Sequence, residues 1–233
     1  MLPSVLNIGP FSIHSLRVSM ARAGAALAGG YRPGHSRRRM LAALVALGMA
    51  GGGAAWSGLA VAQTANPGAQ PLRIGLIGPF TGPSADFGMP MHNGVRLAVD
   101  EINAAGGYLG RPLELVVKDD TAKPDVGRKL SEELVADKVA ATIGFCNTGV
   151  AQQSLEVFQN ARIPLLIPCA TGTPLTSKYP APESYIFRTS ARDAIQAPFI
   201  VQDIAKRGWT QVAVFADTTG YGEAGLKDVE AAL

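Results

Sequence analysis

Thr148 stands where an apolar run, Ala140 to Phe145, gives way to a segment carrying Val150, Leu155, Val157 and Phe158. That pattern predicts a strand, a short loop, and a helix opening at Thr148. Its hydroxyl and the adjoining backbone N–H groups then sit at a positive helix end, which attracts a carboxylate. A plain N-cap hydroxyl is the alternative, and one residue can do both. Asp119-Asp120 suggests an acid–base pair, but adjacent residues at a strand end point to opposite sides. Gly75, Gly78 and Gly82 do not make a G-x-G-x-x-G turn, and there is no G-x-S-x-G elbow and no P-loop. The two cysteines, Cys146 and Cys169, and the lone His92 beyond residue 62 give no zinc or haem spacing. Binding is therefore expected rather than catalysis, with no cofactor and no metal.

These residues need elements to hold them, and the chain alternates strand and helix signals. The run Arg73-Ile74-Gly75-Leu76-Ile77-Gly78-Pro79-Phe80-Thr81-Gly82 reads as a buried strand breaking into a Gly/Pro loop. Strands are expected at 72–78, 113–117, 140–145, 163–168, 185–188 and 212–216. Helices are expected near 90–105, 125–137, from 148, at 194–207 and after the glycines at 220 and 222. Pro164 and Pro168 fall at the edges of their strand, where a missing N–H costs least. Strands separated by helix-length segments predict an α/β, doubly wound parallel sheet, with ligands at the strand ends.

Residues 1–62 read as a cleaved signal peptide. Arg37-Arg38-Arg39 precedes an apolar segment, 40–62, that ends in Ala60-Val61-Ala62. Its glycines, 48, 51, 52, 53 and 58, argue against a membrane span of about 20 residues. Ser36-Arg37-Arg38-Arg39 also resembles a twin-arginine signal; Sec and twin-arginine export both stay open, as does a start at Met20. Six of the 21 Lys and Arg lie before Gln63 and no acid does, so 15 basic residues face 18 acidic ones beyond it, a net charge of −3. The basic character belongs to the leader and gives no support for nucleic-acid binding. With no cysteine near the cleavage position for a lipid anchor, the periplasm is the expected location. Residues 63–71 read as a disordered tether.

In order and spacing, Ile74-Gly75-Leu76-Ile77-Gly78-Pro79-Phe80-Thr81-Gly82, Asn93-Gly94, Asp100-Glu101-Ile102-Asn103-Ala104-Ala105-Gly106-Gly107, Asp119-Asp120, Ile143-Gly144, Ala170-Thr171, Phe187-Arg188-Thr189 and Tyr221-Gly222 resemble the branched-chain amino-acid binding proteins of ABC importers. The resemblance covers Leu72 to Leu233. It implies a type I periplasmic-binding-protein (venus-flytrap) fold: an amino-terminal lobe at 72–184, a hinge at 185–193, and the start of a second lobe at 194–233, whose remainder lies beyond Leu233. It implies that Thr148 meets a ligand carboxylate, and that the Cys169 carbonyl, Ala170, and the hydroxyl and amide of Thr171 face the ligand's polar head. Phe87 would form an apolar wall, although a loop aromatic can equally pack locally, and Tyr221 would close over the ligand from the second lobe.

The implied partners are a small solute and an inner-membrane ABC permease, with the protein a monomer. Relatives also take amides, urea or aromatic acids, and a ligand-sensing receptor domain is the alternative role. The family's usual disulfide partner after Asp119-Asp120 is missing, with Thr121-Ala122-Lys123 in its place. Cys146 and Cys169 follow sequential strands, and the reading adopted is two free, partly buried thiols, with a bridge left open.

Overall fold

The computed structural model describes residues 5–8, 11–17 and 69–233, so the apolar segment 40–62, the cleavage position after Ala62 and most of the tether lie outside the described residues. In chain order the elements are β1 (Val5–Ile8), β2 (Phe11–Arg17), β3 (Leu72–Gly78), α1 (Ala85–Ala104), β4 (Leu113–Asp119), α2 (Pro124–Ala136), β5 (Ala141–Ile143), α3 (Thr148–Ala161), β6 (Leu165–Ile167), α4 (Pro174–Ser177), β7 (Ile186–Arg188), α5 (Asp193–Lys206), β8 (Gln211–Asp217) and α6 (Gly220–Ala232). Among the described residues no helix is long and apolar enough to cross a membrane.

Five strands form one parallel sheet in the order β4-β3-β5-β6-β7. Counted from β3 this is the 2-1-3-4-5 order of doubly wound folds, whose direction of winding reverses between the first and third strands. Both faces are covered, as buried parallel strands require. Gly75 faces Leu134 of α2, while Gly78, three positions on and so on the other face, looks towards Met91 of α1. The main core gathers Ile77, Leu134, Phe145, Val150, Leu155, Phe158, Leu165 and Ile167. A smaller core holds Val201 and Ala205 of α5 against Val212 of β8 and Val229 of α6.

The expected elements appear, with four differences. The first helix begins at Ala85, not near 90, and carries Pro90 inside it in its second turn, where the Asp86 carbonyl goes without an i→i−4 partner. Of its apolar residues, Leu97 and Ile102 stay exposed while Val99 is buried. The third to fifth strands of the sheet shrink to three residues each, Pro164 and Pro168 falling outside β6. The short α4 was not expected. Within the segment read as a leader, β1 pairs antiparallel with β2, and β2 pairs antiparallel with β8 from Phe11–Asp217 to Arg17–Gln211.

Candidate functional site

A cleft of about 740 Å³ opens at the carboxyl ends of β3, β5 and β6 and is closed on its far side by the N-terminus of α6. Its size falls within the roughly 300–1,000 Å³ of small-molecule sites, and it lies at the reversal point of the sheet, where such folds take ligands. All six residues expected to form a site line it: Phe87, Thr148, Cys169, Ala170, Thr171 and Tyr221.

Their details differ from expectation. Phe87 is in the first turn of α1 rather than in a loop, and its ring is 65% exposed. Asn147, not Thr148, is the N-cap of α3, in extended conformation and with no side-chain cap bond. Thr148 is buried, and its Oγ1 accepts the Gly172 amide at 3.3 Å, which leaves the hydroxyl proton to be donated. The Thr171 carbonyl accepts the Asp193 amide at 3.0 Å. Burial raises the Asp193 carboxyl above its ordinary range, and the nearby Thr171 hydroxyl partly opposes the rise. Ala170 is held by backbone, its amide donating to the Phe145 carbonyl at 3.1 Å. Tyr221 opens α6 and is 55% exposed.

The loop after β6 is rigidly pinned. Arg188 at the end of β7 donates to the carbonyls of Thr171 and Gly172 at 2.8 and 2.7 Å. The Ser190 hydroxyl donates to the Ala170 carbonyl, and Thr173 Oγ1 donates to Asp228 Oδ2 at 2.7 Å while accepting the Ala194 amide. At the carboxyl end of β4, Asp119 braces the loop after β3. Its Oδ1 accepts the Phe80 and Thr121 amides, and its Oδ2 accepts the Thr81 hydroxyl at 2.6 Å. Burial works to raise its pKa, but these hydrogen bonds together hold it below the ordinary value. Its neighbour Asp120 is fully buried and is pushed up to about 6, chiefly by desolvation, with the Ala122 amide opposing and the Asp119 charge adding.

Two helix N-termini meet across the cleft but are not equivalent. On α6 the chain supplies its own anion: Asp217 Oδ1 accepts from the Thr219 and Gly222 amides, and Thr219 Oγ1 takes the Tyr221 amide. On α3 no side chain caps the first turn, so its amides stay available at the cleft wall. Sequence reasoning did not single out Ser84, Asn147, Asp217 or Thr219, all of which line the cleft. For the last two a signal existed: Asp217-Thr218-Thr219-Gly220 is a strand end followed by a helix-capping threonine. Asn147 and Ser84 carried none beyond adjacency to Thr148 and Phe87.

A second cavity, of about 360 Å³, lies between α5, β8 and α6 and is lined mainly by apolar side chains such as Ala197, Val214 and Val229. It does not sit at the ends of the parallel strands.

The family profile described as "Periplasmic binding protein" matches residues 71–233. The chain belongs to the periplasmic binding protein family. Among curated proteins it is 35% identical over 158 residues to the Leu/Ile/Val-binding protein homolog 3 of Brucella melitensis, covering 67% of this chain and 42% of that one. Among solved structures it is similar to the branched-chain amino acid transporter substrate binding protein of Streptococcus pneumoniae in complex with isoleucine, at 30% identity and a TM-score of 0.54, covering 59% of this chain and 38% of the other. It is also similar to a solute binding protein of an ABC transporter from Rhodopseudomonas palustris in complex with 3,4-dihydroxybenzoic acid, at 26% identity and a TM-score of 0.58, covering 70% and 43%. This periplasmic binding protein spans about two-fifths of the length of the curated relatives it matches.

Proposed function

We propose that the chain is the extracytoplasmic solute-binding component of an ABC importer, taking a small carboxylate-bearing solute such as a branched-chain amino acid between two lobes. The observation that carries this reading is the uncapped first turn of α3 at the cleft, beside the buried Thr148 hydroxyl. A carboxylate there accepts amide N–H groups and lies at the positive end of the helix. Asp217 places a carboxylate on the opposite wall, which favours a solute that also bears a cationic group. Closure of the lobes around the solute excludes water and strengthens these contacts, and the closed form is what an inner-membrane permease would receive. The role is capture without chemistry, and the solute-binding relatives support it. We further propose secretion to the periplasm through a leader cleaved after Ala62, and function as a monomer.

A second reading keeps the fold and changes the solute. The exposed rings of Phe87 and Tyr221 both line the cleft, and a neighbour of this fold was solved with 3,4-dihydroxybenzoic acid. An aromatic acid presents the same carboxylate to α3 with no cationic group. Thermal-shift measurements with leucine, isoleucine, valine and 3,4-dihydroxybenzoate separate the two. A rise with the aliphatic amino acids supports the first reading, a rise with the aromatic acid alone supports the second, and no rise with any of them overturns both.

A further inference from the structure

Helix α6 has two working faces. Gly222, Leu226 and Val229 turn towards α5 and β8, where they line the apolar cavity, while Gly220, Ala224 and Asp228 recur at i, i+4 and i+8 on the other side. That second stripe meets the parallel-sheet unit. Gly220 comes against Gly149 at the start of α3, Ala224 is buried, and Asp228 Oδ2 accepts the Thr173 hydroxyl at 2.7 Å. Gly220 and Asp228 stand about 12 Å apart along the helix, eight residues at 1.5 Å each. One point of contact lets a helix pivot, whereas two points this far apart fix its direction.

The far point is held firmly from the other side. Thr173 Oγ1 accepts the Ala194 amide at 2.9 Å, so its single proton is directed to Asp228. A hydroxyl bonded to a carboxylate at this length is among the stronger protein hydrogen bonds. The two residues before Thr173 are pinned as well. Arg188 donates to the Thr171 and Gly172 carbonyls, and the Gly172 amide donates to Thr148 Oγ1. Thr148 and Thr171 both line the cleft, so the loop after β6 borders the cleft at Thr171 and grips α6 two residues later. Tyr221 lines the same cleft from the first turn of the helix that is gripped.

We propose that Thr173 and Asp228 form a latch that holds α6 against the parallel-sheet unit, with Gly149 and Gly220 as its pivot, and that Asp228 thereby positions Tyr221 over the cleft. The role assigned to the latch rests on the reading of the chain as a two-lobed capture protein. Asp228 is a positioning residue on this account, since it acts through Tyr221 and does not itself line the cleft.

The test uses the 233-residue chain, and its main arm needs no solute. Residual dipolar couplings of the backbone amides report whether the parallel sheet and the α5–β8–α6 unit share one orientation. One alignment tensor should fit both units in the unsubstituted chain and in Asp228→Asn, whose side-chain oxygen still accepts the Thr173 proton. Asp228→Ala and Thr173→Val should each require two. Protected amides at 72–78 show that a variant is folded, and Asp228→Ala decides alone should Thr173→Val, which also strips the Ala194 amide of its acceptor, fail to fold. A single tensor in Asp228→Ala, two tensors in the unsubstituted chain, or no rescue by Asp228→Asn overturns the latch. Titration with leucine is the second arm. Asp228→Ala should bind it about tenfold more weakly, chiefly through faster dissociation, with affinity restored in Asp228→Asn. Equal leucine affinity in Asp228→Ala and the unsubstituted chain overturns the latch and leaves capture of an amino acid standing. Leucine bound by none of the proteins counts against that capture reading, and the couplings still decide the latch.

Discussion

The Thr148 hydroxyl has two tasks that one substitution separates. Thr148→Val removes the acceptor for the buried Gly172 amide, at a cost of about 1–3 kcal/mol, and removes the proton offered to the cleft. Thr148→Ser keeps both. Urea denaturation should show a loss in the valine variant and near-normal stability in the serine variant, and the thermal response to the solute should follow the same order. Asp120 makes a prediction of opposite sense. Its carboxyl is raised from 3.8 to about 6 in the folded chain, so the neutral form is favoured by folding. Its contribution is most favourable below about 4 and is lost as pH climbs through 6, on the order of 3 kcal/mol in all. Asp120→Asn keeps an acceptor for the Ala122 amide without the charge. It should stabilise the chain at pH 7.5 and not at pH 4, read as the difference in urea midpoint between the two proteins across that range. At this scale the sequence was legible for position and poor for partner. Strand-end placement pointed to Thr148, and the family resemblance added Phe87, Cys169, Ala170, Thr171 and Tyr221; all six line one cleft, but only the folded loop shows that Thr148 accepts from Gly172.

The elements were read most securely where the pattern was long. The 72–78 strand and the opening of α3 fall where periodicity put them, while the three-residue β5, β6 and β7 were overestimated because apolar residues continue past the last ladder bond. Mirroring that, α1 was underestimated: it starts at Ala85 and carries Pro90 within it. What no local pattern reveals is how two elements approach. The N-termini of α3 and α6 come together at Gly149 and Gly220, where a Cβ on Gly220 would stand 2.9 Å from the Gly149 Cα and 2.6 Å from Gln152 Oε1. The first of these is backbone and cannot swing aside, so Gly220→Ala must push α6 away from α3. We expect little change in the protection of the parallel sheet and a clear loss of solute-induced thermal shift, the two being measured by hydrogen exchange and by the solute titration. An unaltered solute response would mean that the close approach of these helices is unnecessary for capture.

Across the whole molecule the parallel sheet and the α5–β8–α6 unit have separate cores, and the second is small and rich in exposed apolar groups, Ile195, Phe199 and Ile200 on α5 among them. Within the described residues β8 has β2 as its ladder partner, and β2 lies in the segment read as a leader. Removing residues 1–62 should therefore raise amide exchange at 211–217 while leaving 72–78 and 141–143 protected, as hydrogen exchange of the two chains would show. Equal protection of 211–217 in both would mean that the hairpin contributes nothing to β8. The separation of the cores bears on the shape of an unfolding curve. Two cores sharing no residue make two cooperative units, so denaturant should take the chain apart in two steps, the smaller unit first. A solute that touches the α3 amides on one unit and Tyr221 on the other exists as a complex only while both are folded, and mass action then draws the steps together. The merging of two transitions into one would thus announce a bound solute, and would do so even for a molecule too weakly bound to move the larger transition.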